Sequence, residues 1–144
     1  MESNERPRRL LVVEDNPTDV LILHRVLKAH GVEYEMTVME DGEQAIEYLG
    51  SCEQGHTPDL IVIDVNLPKE DGLGVLLKYR FRPALSKIPI VILTSSDAAN
   101  DRSRAEMLGA DVFLRKPIEL EDFLSIGGKI RQLLERPPGT RSAA

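Results

Sequence analysis

Short, unbroken apolar runs alternate along this chain with longer stretches whose apolar positions recur every three or four residues. Leu10–Val13, Leu60–Ile63 and Ile90–Leu93 are each runs of four. Successive side chains of a strand point to opposite faces, so such runs predict strands covered on both sides. Tyr34–Met39 is strand-like but less apolar, which places it nearer an edge. Asp111–Arg115 is a fifth, short candidate strand.

The stretches between them read as helices. Asn16 can cap a helix, Pro17 fits its first turn, and Asp19 suits the positive end of the helix dipole. Val20, Leu21, Leu23, Val26 and Leu27 supply an apolar face, and Gly31 stops the helix. Asp41 and Gln44 have capping-box spacing, with Ala45, Ile46 and Leu49 turned to the sheet. Ser51 to Pro58 is a polar loop. Beyond Asp64 comes a turn-rich segment and then a helix through Tyr79, with Leu73, Leu76 and Leu77 as inward candidates. Pro83 and Pro89 bracket an irregular crossover. Ala98–Leu108 forms the next helix, stopped by Gly109, and the last runs from about Glu119 to about Glu135. Gly127-Gly128 interrupts that last helix. Each interior glycine costs roughly 1 kcal/mol relative to alanine, so local weakening is the preferred reading. Close backbone packing, against another subunit for example, is the alternative.

Strand followed by helix, five times over, predicts an α/β domain with a parallel sheet covered on both faces. Periodicity leaves the strand order open. The expected organisation is an N-terminal arm over residues 1–8, one domain over 9–135 and a flexible tail over 136–144.

Composition narrows this picture. The chain has 144 residues, 42% of them apolar but only 4% aromatic, with no Trp. Its core must come mainly from Leu, Ile, Val and Ala. Lys and Arg number 18 against 24 Asp and Glu, a net charge of −6, which disfavours binding to nucleic-acid backbones. Arg6, Arg8 and Arg9 form a local basic run, read as a solvated arm. Cys52 is the only cysteine, so no intramolecular disulfide forms. No run approaches the roughly 20 apolar residues of a membrane span, and the N-terminus has no secretory core. The expectation is a cytoplasmic protein with no membrane insertion.

The chemistry gathers at the strand ends. In an open parallel sheet, loops beyond the carboxyl ends of the strands form the usual site. Glu14 and Asp15 follow the first strand, Asp64 the third, Thr94 ends the fourth, and Lys116 follows the fifth. Converging carboxylates repel unless a cation joins them, and Mg²⁺ prefers oxygen ligands. Asp15, Asp64 and Glu14 are the candidate ligands, with a backbone carbonyl near Asn66. The His/Cys cluster of a structural zinc site is missing. Lys116 and Thr94 suit recognition of phosphoryl oxygens, and an Asp nucleophile attacking phosphorus gives an acyl phosphate. Each residue alone has a plainer reading: a turn cap for Glu14 and Asp15, a helix cap for Thr94, a surface cation for Lys116.

Six segments together resemble the receiver domains of bacterial two-component response regulators. They are residues 11–16, 59–64, 66–68, 71–72, 93–95 and 109–117, in this order and spacing. The resemblance implies a flavodoxin-like sheet of order 2-1-3-4-5 with five flanking helices. It implies Asp64 as phosphoacceptor, Glu14 and Asp15 as the acidic pair, and Asn66 as a backbone contact to Mg²⁺. It gives Thr94 and Lys116 to the phosphoryl group, and a cis peptide before Pro117. Phe113 stands where many members have Tyr. It cannot make a phenolic hydrogen bond, so either it switches by packing or it is simply a half-buried strand residue. The segment Glu14-Asp15-Asn16-Pro17 and the polar loop before Pro58 also resemble the small stand-alone regulators that partner phytochromes. That implies a sensory histidine kinase as donor, either phytochrome-linked and light-regulated or of another kind, with Mg²⁺-dependent self-phosphorylation and slow autodephosphorylation. It also implies a homodimer through the fourth-helix, fifth-strand and fifth-helix face.

Three other functions compete. A phosphorylation-independent adaptor would not need Asp64, Thr94 and Lys116 together. A flavodoxin-like cofactor protein would need a phosphate-cradling glycine loop. A DNA-binding regulator is expected to carry a longer tail and a basic face.

Overall fold

Side chains of the central strands divide by parity between two apolar layers, and this division organises the whole molecule. The computed structural model describes residues 6–52, 57–65, 72–79, 82, 85–95, 99–107, 109–117 and 120–135. The strands are β1 (Arg8–Val13), β2 (Tyr34–Met39), β3 (Leu60–Ile63), β4 (Ile90–Thr94) and β5 (Val112–Arg115). The helices are α1 (Pro17–Ala29), α2 (Gly42–Ser51), α3 (Gly72–Tyr79), α4 (Ala99–Met107) and α5 (Leu120–Leu134). All pairings are parallel, and the sheet order is β2-β1-β3-β4-β5, as the family resemblance implies. No helix among the described residues is long and apolar enough to cross a membrane.

Leu11, Val13, Ile61, Ile63, Ile90 and Ile92 face one layer, packed against Ala45 and Leu49 of α2, Leu73, Val75 and Leu76 of α3, and Ala105 of α4. Leu10, Val12, Leu60, Val62, Val91 and Leu93 face the other, with Leu23, Val26 and Leu27 of α1 and Phe123, Ile126, Ile130, Leu133 and Leu134 of α5. Every residue of β3 and β4 is buried, as their unbroken apolar runs require, whereas β2 at the edge is mostly half-buried.

The helix caps follow the sequence. The Asn16 side chain accepts from Thr18 N at 2.9 Å, with Pro17 in the first turn. Asp41 accepts from Gln44 N at 2.8 Å, and the Gln44 side chain accepts in return from Glu40 N at 3.0 Å. Four details differ from the sequence reading. Strand β1 begins at Arg8, because Arg8 and Arg9 continue the ladder with Tyr34 and Glu35. Arg6 is solvent-exposed but paired: its guanidinium grips Asp59 at 2.7 and 3.0 Å, a geometry that fixes direction as well as charge. Helix α2 runs through Ser51. Leu77 is 57% exposed while Val75 is buried, because α3 turns residues 72, 73, 75 and 76 inward.

Gly127-Gly128 also has a different role. Helix α5 passes through both glycines unbroken and packs on α1. A Cβ on Gly127 would lie 2.9 Å from the Val26 carbonyl oxygen and 2.7 Å from His30 Cδ2. The neighbours also join the helices by hydrogen bonds, His30 Nε2 to Leu124 O at 2.7 Å and Arg131 Nη1 to His30 O at 3.0 Å. Gly127 serves close packing, within this chain.

This packing separates two substitutions that helix propensity treats alike. Gly127→Ala forces α1 and α5 apart and is expected to lower stability by roughly 1–2 kcal/mol, overpacking outweighing the propensity gain. At Gly128 a Cβ would meet only His30 atoms at 3.4 Å or more. Gly128→Ala should therefore be neutral or stabilising by up to about 1 kcal/mol. Urea midpoints at unchanged slope measure both, and equal midpoints would exclude the packing account.

Candidate functional site

The register of the sheet carries four strand ends to one edge. Val13, Ile63 and Ile92 are successive partners across β1, β3 and β4. Backbone bonds extend the ladder past the strands: Glu14 N to Met39 O at 2.9 Å, Asp64 N to Val13 O at 3.0 Å and Lys116 N to Thr94 O at 2.7 Å. Glu14 and Asp64 thus continue the parity of Val12 and Val62, toward the α1/α5 side, and Lys116 continues that of Leu114. Thr94 continues the parity of Ile92, on the α2–α4 side that Phe113 also faces.

Gly72 makes the Asp64 end possible. Helix α3 starts so close to β3 that a Cβ at Gly72 would overlap the Asp64 carbonyl oxygen and stand 2.6 Å from Ile63 Cγ2. Gly72 N donates to Val65 O at 3.0 Å, closing the turn.

Glu14, Asp64 and Thr94 are buried, at 4%, 5% and 0% exposure, and Asp15 is exposed. Carboxylate oxygens of Glu14, Asp15 and Asp64 lie within 4.8 Å of one another. Lys116 Nζ meets Glu14 Oε1 at 2.7 Å, Asp19 Oδ2 at 2.8 Å and Asp64 Oδ2 at 2.9 Å. The second Glu14 oxygen accepts from Asn16 N at 3.2 Å. Glu14, Asp15, Asp19, Asp64 and Lys116, with Asn16, Ser95 and Pro117, line an open cleft.

The electrostatics follow from crowding. Burial first, then the Asp64 charge, pushes the Glu14 carboxyl up to about 7, against the pull of Lys116. Burial opposes the Lys116 charge, but the hydrogen bonds it donates to Asp19, Glu14 and Asp64 outweigh it and raise its pKa well above the usual lysine value. One ammonium thus faces more carboxylates than it can neutralise. An all-oxygen donor set with surplus negative charge fits a hard divalent cation.

The structure therefore brings Glu14, Asp15, Asp64 and Lys116 into one cluster, with Thr94 buried beside it at the end of β4. Asn66 lies outside the described residues. Phe113 is half-buried, with the Arg102 guanidinium 5.6 Å from its ring centre. The expected cis peptide before Pro117 is not found: every peptide bond among the described residues is trans, the form that an X–Pro bond prefers by about 0.5–1 kcal/mol. Asp19 and Ser95 were not singled out as site residues. For Asp19 the available signal was a helix start placed at the same sheet edge as the first acidic pair.

The family model of the response regulator receiver domain matches residues 10–126. The chain belongs to this family. Response regulator Rcp1 of Synechocystis sp. is 35% identical over 128 residues, covering 87% of this chain and 86% of Rcp1. The Mn²⁺-bound crystal structure of Rcp1 covers 95% of this chain and 100% of its own at a TM-score of 0.80 and 32% identity. The phosphorylated cyanobacterial phytochrome response regulator RcpA covers 90% and 94%, with a TM-score of 0.80 and 30% identity. The receiver domain of sensor histidine kinase PA1611 of Pseudomonas aeruginosa PAO1, solved with magnesium in its active-site cleft, is 27% identical, with a TM-score of 0.67 over 86% of this chain and 97% of that one. This receiver thus shares its fold with phytochrome-associated stand-alone regulators and with proteins that hold divalent metal.

The raised Glu14 pKa makes metal-free stability depend on pH. The folded receiver keeps the Glu14 proton up to about 7, whereas an ordinary Glu loses it near 4.5. The stabilising contribution of that proton is present below 4.5 and is lost as pH rises through 7. Melting temperatures taken from pH 4.5 to 8 in chelator should show this fall, and Glu14→Gln should flatten it. An equal slope in both proteins would remove Glu14 as the source.

Proposed function

We propose that this receiver accepts a phosphoryl group on Asp64 from the phosphohistidine of a sensory histidine kinase, phytochrome-linked as for the RcpA-like regulators. One observation carries the reading: the buried Asp64 carboxylate faces the Lys116 ammonium while lying within the Glu14–Asp15 oxygen cluster. An Asp64 oxygen attacks phosphorus, the P–N bond to imidazole breaks, and the leaving imidazole takes up a proton. Lys116 sits where it donates to phosphoryl oxygens as charge moves onto them. Glu14, Asp15 and Asp64 would hold Mg²⁺, whose charge offsets that of the phosphoryl oxygens. Water later attacks phosphorus, and the P–O bond to Asp64 breaks to return the carboxylate and free phosphate.

The response runs through the other sheet face. Thr94 turns toward the phosphoryl group, and Phe113 repacks beneath Arg102. The contact is weak, about 0.5–1 kcal/mol for an exposed pair. A phosphoryl group that favours the repacked state shifts the population toward it. The altered α4-β5-α5 face then selects a partner, a second copy of the chain included.

Phosphodonor with Mg²⁺ should label the wild-type chain once, at Asp64. Intact-mass measurement against Asp64→Asn tests this, and equal labelling of both proteins would reject Asp64 as acceptor. Light scattering at micromolar concentrations tests the self-association: a larger mass is expected on phosphorylation, and an unchanged monomer mass in both states would refute it.

A further inference from the structure

We infer that Asp19 is a positioning residue that holds the Lys116 ammonium in the cleft. This rests on the phosphoryl-transfer reading only for its consequence; the contact itself is independent of it.

A lysine ammonium has three N–H donors. All are matched here, by Glu14, Asp19 and Asp64 at 2.7, 2.8 and 2.9 Å. Two of these three partners have other work: Glu14 and Asp64 belong to the oxygen cluster that suits a divalent cation, and Asp64 is the proposed acceptor. Asp19 is outside that cluster. It is the one carboxylate on Lys116 with no competing role at the centre of the site.

The start of α1 places Asp19 for this. Side chains of a helix lean toward its N-terminus, and the N-terminus of α1 opens onto the cleft. Asp19 is the third residue of α1, where an acidic side chain ordinarily turns back to the backbone N–H of the capping residue. Helix α2 shows a near variant, with Gln44 accepting from Glu40 N, one residue before the Asp41 cap, at 3.0 Å. In α1 the capping N–H is already taken, because Asn16 N donates to Glu14 Oε2 at 3.2 Å. Asp19 instead reaches from α1 to a lysine 97 residues away. Its side chain is only 16% exposed, so solvent screens this pair less than a surface bridge. A helix-dipole role alone would not need that reach.

The test uses the full chain loaded with Mg²⁺ and three proteins: wild type, Asp19→Asn and Asp19→Glu. Nuclear magnetic resonance order parameters of the Lys116 Nζ group report positioning without any phosphate. Labelling by acetyl phosphate reports the consequence, and circular dichroism melting confirms folding. Asp19→Asn should free the Lys116 end group and slow labelling roughly tenfold, the effect of losing one charge-assisted hydrogen bond. Asp19→Glu should restore both in large part. An equally ordered Lys116 in wild type and Asp19→Asn overturns the inference, and so does a freed Lys116 with an unchanged labelling rate. A wild-type chain that takes no label refutes the transfer reading, while the Lys116 order still decides the positioning.

Discussion

One lysine ammonium meets three carboxylates at the carboxyl edge of the sheet, and those carboxylates come from the ends of β1 and β3 and the first turn of α1. Lys116 itself follows β5. The contact therefore ties together elements from both ends of the chain. Breaking a buried ion pair by removing one partner commonly costs about 3–5 kcal/mol, because it leaves an uncompensated charge. Even so, the balance is incomplete. Glu14 is pushed up to about 7 by burial and by Asp64, so the site still favours a proton or a cation. A pocket built this way suits positive charge.

Strand parity gives the site its second property. Glu14, Asp64 and Lys116 continue the residues that face α1 and α5, while Thr94 and Phe113 continue those that face α2–α4. The sheet thus places the proposed group-transfer residues on one side and the proposed relay on the other, joined by the bond from Lys116 N to Thr94 O at 2.7 Å. On the α1 side, Gly127 lets α5 approach the Val26 carbonyl closely. Close packing there and an exposed, charge-rich α4 on the other face suit a device in which one face holds and the other responds.

Much of this was legible before any coordinates. The runs at Leu60–Ile63 and Ile90–Leu93 announced buried strands because a parallel strand covered on both faces has no polar positions to spare. The Asn16 and Asp41 caps were legible because capping is local, set within a few residues. The family motifs located Glu14, Asp15, Asp64, Thr94 and Lys116, and five-strand order came from the same resemblance. Leu77 was misjudged because three leucines in one short helix do not say which arc faces inward; Val75 takes that place. Gly127-Gly128 was misjudged because a glycine's cost to its own helix is local, whereas its benefit depends on a helix about a hundred residues earlier.

By itself the sequence determined the element order, the edge character of β2, the mainly aliphatic core and the acidic chemistry at the strand ends, since periodicity and side-chain type act over short distances. Only the tertiary structure decided which carboxylates share Lys116, that Asp19 is among them, that Arg6 grips Asp59, and that the paired glycines are a helix contact. Those depend on distances between residues far apart in the chain, and charge and excluded volume act through space rather than along the backbone.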